Sequence, residues 1–447
     1  MEILDKFEVR QNMMEKNVIA CGAKKTTHER WFVLFLISVI TCINYLDRTS
    51  ISVVSTFIEK DFGLNSVEMG IVFSCFSWSY LLFQLPSGWL LERLGPHVLY
   101  TISLLGWSVF TALISLANGV SSLMGFRLGM GMFEAPAFPA NARIVTTWFP
   151  SKERGLAIGV YTAAEYVGLA LLTPALFWIV GHFGWRDLFV IIGGLGIAMS
   201  MVWWFFYSSP TKSKRINETE LSYIKTGGGS GDQIKDARKM KKSDMLLLIK
   251  SRQLLGLYIG NFATTSVLTF FLTWFPHYLI TEKHIELLSV GIYAALPFLA
   301  AIAGVLIGGS WSDWLLKKKY SMSVARKMPV IIGLLMTSTI MLANYTNNID
   351  YVTAVMAIAF FGQGVGATVS VALLTELAPR ELVGMTYGML NIFGQTSAIV
   401  TPIVIGAIVQ FTGSFSMAMG YIGIVAAIGI FSYTVIIGEP VRVKIED

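Results

Sequence analysis

Arg127, Glu134 and Asn141 recur at seven-residue intervals inside a hydrophobic stretch. Seven residues is close to two helical turns, so a helix carries all three on one face. Asp47 and Arg48 interrupt the first hydrophobic segment in the same way, and Glu165 interrupts the fifth. Ionisable groups in the hydrocarbon core of a bilayer are costly, and they normally face a bundle interior or a water-filled chamber. The chemistry on offer there is replacement of an anion's hydration by a fixed cation. Arginine suits a carboxylate best, because its planar fork donates two parallel hydrogen bonds and stays protonated. Arg48 and Arg127 lie deep in hydrophobic segments, whereas Arg143 lies near a segment end.

An unmatched Arg would stall an empty carrier, so each needs a carboxylate to pair with when the anion leaves. Asp47 and Glu134 fill that role in sequence. A buried carboxyl beside a movable Arg contact can also titrate during a cycle, which makes Asp47 and Glu134 the candidate proton-exchanging groups. Static ion pairs, Arg127 with Glu134 and Asp47 with Arg48, would give the same pattern. Glu165 follows Tyr161 by one turn. It could bind a substrate hydroxyl while protonated, serve as a third proton site, or be a solvated residue of no consequence.

Neutral donors and acceptors accompany these charges. Tyr80 and Gln84 are one turn apart, Asn391 and Gln395 share a face, and Gln363 and Ser370 lie in one later segment. Asn261, Thr265, Thr269 and Thr273 repeat every four residues as one polar stripe. Such residues can hold the hydroxyls of a polyol, and they can equally join membrane helices without any ligand.

The elements that must position these groups are membrane helices. The 447 residues are 54% hydrophobic and 14% charged, with mean hydropathy +0.62, where soluble domains carry about 25% charge. Apolar runs long enough to span a bilayer are predicted near 31–57, 67–91, 97–117, 121–149, 154–180 and 186–207, then 254–280, 289–316, 328–346, 350–377, 383–411 and 414–438. The expectation is an all-α, multi-pass membrane protein with twelve transmembrane helices in two six-helix halves, 31–207 and 254–438. The flanking segments are a tail at 1–30, a linker at 208–253 and a second tail at 439–447. Twenty-eight of the 34 Lys and Arg residues fall in the tails, the linker and the loops on their side, against Lys60, Arg186 and Lys283 on the other. By the positive-inside rule both termini and the linker are cytoplasmic. The first thirty residues hold no apolar core with a cleavage site, so the first span is expected to direct insertion itself.

Other chemistries find little support. Cys21, Cys42 and Cys75 have no metal-ligand spacing, and the five His residues fall in tails, loops or span ends. A membrane enzyme would need a nucleophile–base pair or a metal cluster within the spans. Gly227-Gly228-Gly229-Ser230-Gly231 lacks the Lys-Ser/Thr of a phosphate-binding loop and reads as a flexible linker. The basic run from Arg238 to Lys242 reads as a topology signal, or as a site for anionic headgroups. The glycines from Gly125 to Gly131 permit close helix packing. No cofactor, metal or nucleic-acid partner is expected, and a 46-residue linker is short for a sensor domain.

A weak repeat supports the division into halves. Gly88-Trp89-Leu90-Leu91-Glu92-Arg93-Leu94-Gly95 follows the second span, and Gly309-Ser310-Trp311-Ser312-Asp313-Trp314 with Lys317-Lys318-Lys319 follows the eighth. These repeats resemble the loop motif of the major facilitator superfamily, with Glu92 in place of the usual Asp. Within it the chain resembles the anion:cation symporter family, and in particular bacterial sugar-acid:proton symporters of the galactonate and glucarate type. The residues that carry this are Asn44-Tyr45-Leu46-Asp47-Arg48, the run from Phe133 to Arg143, Thr147-Trp148-Phe149-Pro150, Glu153-Arg154 and Tyr223 to Gly229. Thr273-Trp274-Phe275-Pro276, Ala325-Arg326-Lys327 and Leu390 to Gly394 add to them in the second half.

The resemblance implies the major facilitator fold in a bacterial inner membrane. It also implies uptake of an organic anion such as an aldonate, aldarate or hexuronate, driven by the proton gradient through a monomer. Asp47 and Glu134 would exchange protons, Arg48 and Arg127 would manage the charge around them, and Tyr45, Tyr80 and Asn391 would lie near the sugar acid. Two departures touch that pocket: Glu165 stands where those relatives carry Gln, and Gly366 to Ala372 holds no Trp. Uptake of another small carboxylate, or export or antiport, stays open at this point.

Overall fold

The computed structural model describes residues 26–229, 242–379 and 382–443. The first 25 residues with Cys21, the segment from Ser230 to Lys241 with most of the basic run, Arg380 and Lys444 lie outside them. Every regular element among the described residues is helical. Ten helical runs are long and apolar enough to cross a membrane. One of these, Ser66–Leu116, is 51 residues long and makes two crossings. It turns at Gly95, whose φ of 71° an L side chain rarely adopts, and Pro96 then opens the next helix with its φ already set.

The remaining crossing is the polar fourth one, split into Val120–Glu134 and Ala137–Trp148. Pro136 and Pro139 have no N–H to return to the preceding turn, so the helix breaks just after Glu134. The protein is therefore an all-α, multi-pass membrane protein with twelve crossings, as the sequence predicts.

Local sequence explains several boundaries. Asn65 and Glu68 close a reciprocal capping box, each side chain accepting from the other's backbone N–H at 2.9 Å, which starts the second crossing. The ninth crossing starts before the predicted 328, with a wide turn at Ser323–Lys327, and tightens into Thr339–Tyr345 at its end. Large apolar side chains such as Leu85, Phe205 and Phe411 stay exposed on the outside, where lipid covers them.

Three apolar clusters organise the packing. One gathers first-half residues such as Ile37, Trp107, Trp148 and Trp203, together with Ile224 of the linker. A second contains only later residues, such as Tyr258, Leu334, Leu374 and Tyr433. The third, with Tyr166, Phe177, Phe271, Trp274 and Phe415, joins both halves at the end away from the termini. There the backbones meet closely. A Cβ on Gly70 would come within 2.5 Å of the Pro402 carbonyl, and one on Gly406 would collide with the Ser66 carbonyl. Ser52 donates to the Thr273 carbonyl, and Ser55 Oγ lies 3.0 Å from His277 Nδ1. At the terminus end, by contrast, Gly155 and Gly159 of the fifth span and Gly384 and Gly388 of the eleventh face open space. The halves are sealed on one side and parted on the other, leaving a chamber open toward the termini.

The linker corrects one expectation. Gly227-Gly228-Gly229 is not a loose tether. It ends the helix Glu218–Thr226, whose N-cap Asn217 accepts from Glu220 N–H, and it is docked on the first half. Arg154 Nη2 donates to the Gly228 carbonyl at 2.6 Å and Ser151 N–H to the Gly227 carbonyl at 2.8 Å. Arg30 ties the same helix to the first span through Glu220 at 2.8 Å and also holds Glu153, just before the fifth span, at 3.0 Å, and the Tyr223 hydroxyl donates to Glu153. A glycine run chosen for close approach and one chosen for looseness look alike in sequence.

Candidate functional site

The first, second and fourth spans bring the charged residues together. Arg127, Glu134 and Asn141 are 2%, 0% and 1% exposed, all turned into the first half rather than toward lipid. Glu134 meets Arg48 of the first span, whose Nε donates to Oε1 at 2.6 Å. The Arg48 guanidinium is caged by three rings, with its carbon 5.0 Å from the Tyr45 centroid, 4.9 Å from Phe76 and 5.0 Å from Tyr80. Ring faces attract cations strongly once water is excluded. Its Nη2 is left without a partner, a free donor on a fixed cation.

The pairing differs from the two pairs open in the sequence. Arg127 makes no ion pair with Glu134. Its Nη2 donates to the Phe73 carbonyl at 3.3 Å, Nη1 lies 3.7 Å from Met130 Sδ, and Nε has no partner. Asp47 is 1% exposed, and neither of its oxygens completes a hydrogen bond, the Trp107 indole being the neighbouring donor. Asn44, whose side chain is also unpartnered, neighbours Glu134. Asn141 donates to Thr41 Oγ1 at 3.3 Å and keeps its oxygen free. The first half thus holds a tight crossed ion pair, a carboxyl without an ion-pair partner and a guanidinium with spare donors, within electrostatic reach of one another. Such a set can shift between alternative pairings, because each unsatisfied buried group raises the free energy of the one present.

Glu165 lies beside the Tyr45 hydroxyl and within electrostatic reach of Arg48, Tyr161 and Tyr387. Tyr387 reaches it from the eleventh span of the other half, and Asn391 stands one turn further along that span beside Tyr387. Asn391 and Gln395 are half-buried on this chamber wall. Tyr166 spans the halves by donating to Gln363 Oε1 at 3.5 Å. Tyr387, Phe76 and Asn44 did not stand out as site residues in the sequence. Tyr387 precedes Asn391, and Phe76 precedes Tyr80, by the one-turn spacing used for the other pairs, so that signal was available for both.

Other polar groups serve packing. In the seventh span Thr269 and Thr273 each donate to the carbonyl one turn back, and Asn261 donates to the Leu390 carbonyl, joining spans seven and eleven. Ser370 pairs with the Tyr433 hydroxyl inside the second half. Among the described residues no group of His, Cys, Asp and Glu could hold a metal ion.

The Major Facilitator Superfamily model matches residues 37–343. Among characterised relatives, the D-galactonate transporter of Escherichia coli O6:H1 is 44% identical over 429 residues, covering 95% of this chain and 99% of the relative. The probable galactarate/D-glucarate transporters GarP of Escherichia coli K12 and GudP of Bacillus subtilis are each 39% identical, over 95% of this chain and 98% and 95% of their own lengths. In fold, the chain is similar to the crystal structure of a bacterial homologue of the human lysosomal transporter Spinster in an inward-facing, unoccupied conformation. The TM-score is 0.71 at 19% identity, over 94% of this chain and 99% of that one.

Proposed function

Because the chain belongs to the Major Facilitator Superfamily, and so is a transporter rather than an enzyme, we propose that it imports a sugar-acid anion together with protons. The names of its relatives support the substrate class: a galactonate transporter and two galactarate/glucarate transporters align over nearly the whole chain. The observation that carries the mechanism is the caged Arg48 held by Glu134 beside an Asp47 that makes no ion pair among the described residues.

The cycle follows from what those groups can do. A proton arriving on Glu134 removes the charge that holds Arg48, and the freed guanidinium becomes the seat of the substrate carboxylate. Arg127 supplies the second positive charge, and Asp47 is the other proton carrier. Tyr45, Tyr80, Glu165, Asn391 and Gln395 surround the polyol, drawn from both halves. The halves 31–207 and 254–438 rock about this site, the linker 208–253 joining them. No cofactor is required, since the proton gradient supplies the drive.

The basic residues concentrated on the terminus side support cytoplasmic termini in a bacterial inner membrane, and in that orientation the chamber opens inward. The site lies between the two halves of one chain, which supports a monomer as the working unit. Reconstitution of the full chain in proteoliposomes with an imposed pH gradient tests the proposal. A labelled sugar acid such as galactonate should accumulate faster when the outside is acidic. Uptake indifferent to the gradient would end the coupling, and no uptake of any sugar acid would end the substrate class.

A further inference from the structure

The cycle above uses two carboxyls and two guanidiniums, yet the chamber holds a third acid. Glu165 is 8% exposed and has no ion-pair partner among the described residues. It sits between Tyr45 and Arg48 of one half and Tyr387 of the other, at the level where a substrate must bridge them. A carboxylate in that place accepts hydroxyl protons readily and tolerates a second negative charge badly.

Charge balance sharpens this. With protons on Asp47 and Glu134, Arg48 and Arg127 leave two positive charges against the single carboxylate of Glu165. The remaining charge is neutralised by one substrate carboxylate. A dicarboxylate would place its second anionic end, unpaired, in the same enclosed space as Glu165. A neutral side chain there would leave room for it.

We propose that Glu165 makes this transporter selective for singly charged polyhydroxy acids over the corresponding dicarboxylates, accepting hydrogen bonds from hydroxyls and repelling a second carboxylate. This rests on the sugar-acid reading and deepens it by naming the substrate's charge.

The test is competition against labelled galactonate uptake in proteoliposomes of the full chain, comparing unlabelled galactonate with galactarate, which share one six-carbon skeleton. The native protein should favour galactonate by about tenfold or more, since like charges brought together without water are strongly disfavoured. Glu165→Gln should narrow or reverse that ratio, and Glu165→Asp, which keeps the charge, should preserve it. Equal competition in the native protein overturns the proposal, even if the variants fold poorly. An unchanged ratio in Glu165→Gln overturns it as well, because Glu165 would then be bound in its neutral form. If neither acid competes and no galactonate is taken up, it is the sugar-acid reading that has failed, and the proposal falls with it.

Discussion

Arg48 and Glu134 reach each other across two spans at 2.6 Å, while Asp47, the chain neighbour of Arg48, keeps both oxygens unpartnered. One carboxyl is thereby committed and the other uncommitted, though both are buried in the same half. Two acids in such unlike surroundings are suited to load protons at different steps.

Replacing Glu134 by Gln keeps the shape and removes the charge that holds Arg48. Accumulation of substrate against a gradient should be abolished, while exchange of internal for external substrate persists. Counterflow measured alongside pH-driven uptake separates the two. Undiminished accumulation would remove Glu134 from the proton path.

Arg48 is caged by Tyr45, Phe76 and Tyr80 and uses Nε toward Glu134, which a lysine ammonium cannot reproduce. Arg48→Lys should weaken substrate binding about tenfold or more. Arg48→Ala should cost about 3–5 kcal/mol of stability by leaving Glu134 buried without its cation. Arg48→Ala combined with Glu134→Ala should recover much of that loss in thermal unfolding. Strict additivity of the two substitutions would show that the pair is not coupled.

These relationships show where the sequence could be read and where it could not. The polar residues and their depth in the spans were legible, because a charge in a hydrophobic run is too costly to leave facing lipid. Their partners were harder to read, since pairing depends on how helices rotate against one another. Arg127 and Glu134 share a face but are about 10 Å apart along it, and Asp47 and Arg48, as adjacent residues, point in different directions. The fourth span was legible as a hydrophobic run over 121–149, but its break into Val120–Glu134 and Ala137–Trp148 was not read from Pro136 and Pro139. The docking of Gly227–Gly229 was not legible, because its partners Pro150, Ser151 and Arg154 lie more than seventy residues earlier.

Gly406 lets the eleventh span lie against the Ser66 carbonyl on the side away from the termini. Gly406→Val should push the halves apart there. Overpacking costs about 1–3 kcal/mol, enough to shift the balance toward the oppositely open state about tenfold. Distances between spin labels on either side of that seam would report it, and an unchanged distribution would mean that the contact does not limit closure.

Glu59 follows the first span on the sealed side, where burial pushes its carboxyl up to about 7. His277 Nε2 is 3.7 Å away, and Ser55 contacts the other ring nitrogen. When that side opens, Glu59 meets water and returns toward its ordinary value of 4.5. The sealed state therefore binds a proton that the opened state releases between pH 4.5 and about 7. Sealing is fully supported below that window and loses support as the pH rises through 7. The same spin-label distances should show more opening at pH 8 than at pH 5, and Glu59→Gln should flatten the dependence.

The seam that closes the chamber is built chiefly from interlocking apolar side chains and close backbone contacts, including Phe271, Trp274 and Phe415. Parting such a surface hydrates hydrocarbon, and its thermodynamic mark is a heat-capacity increase rather than a response to ionic strength. The balance between the two openings is accordingly one that temperature tunes and salt leaves almost alone, so the rate-limiting reorientation should show a curved dependence on temperature.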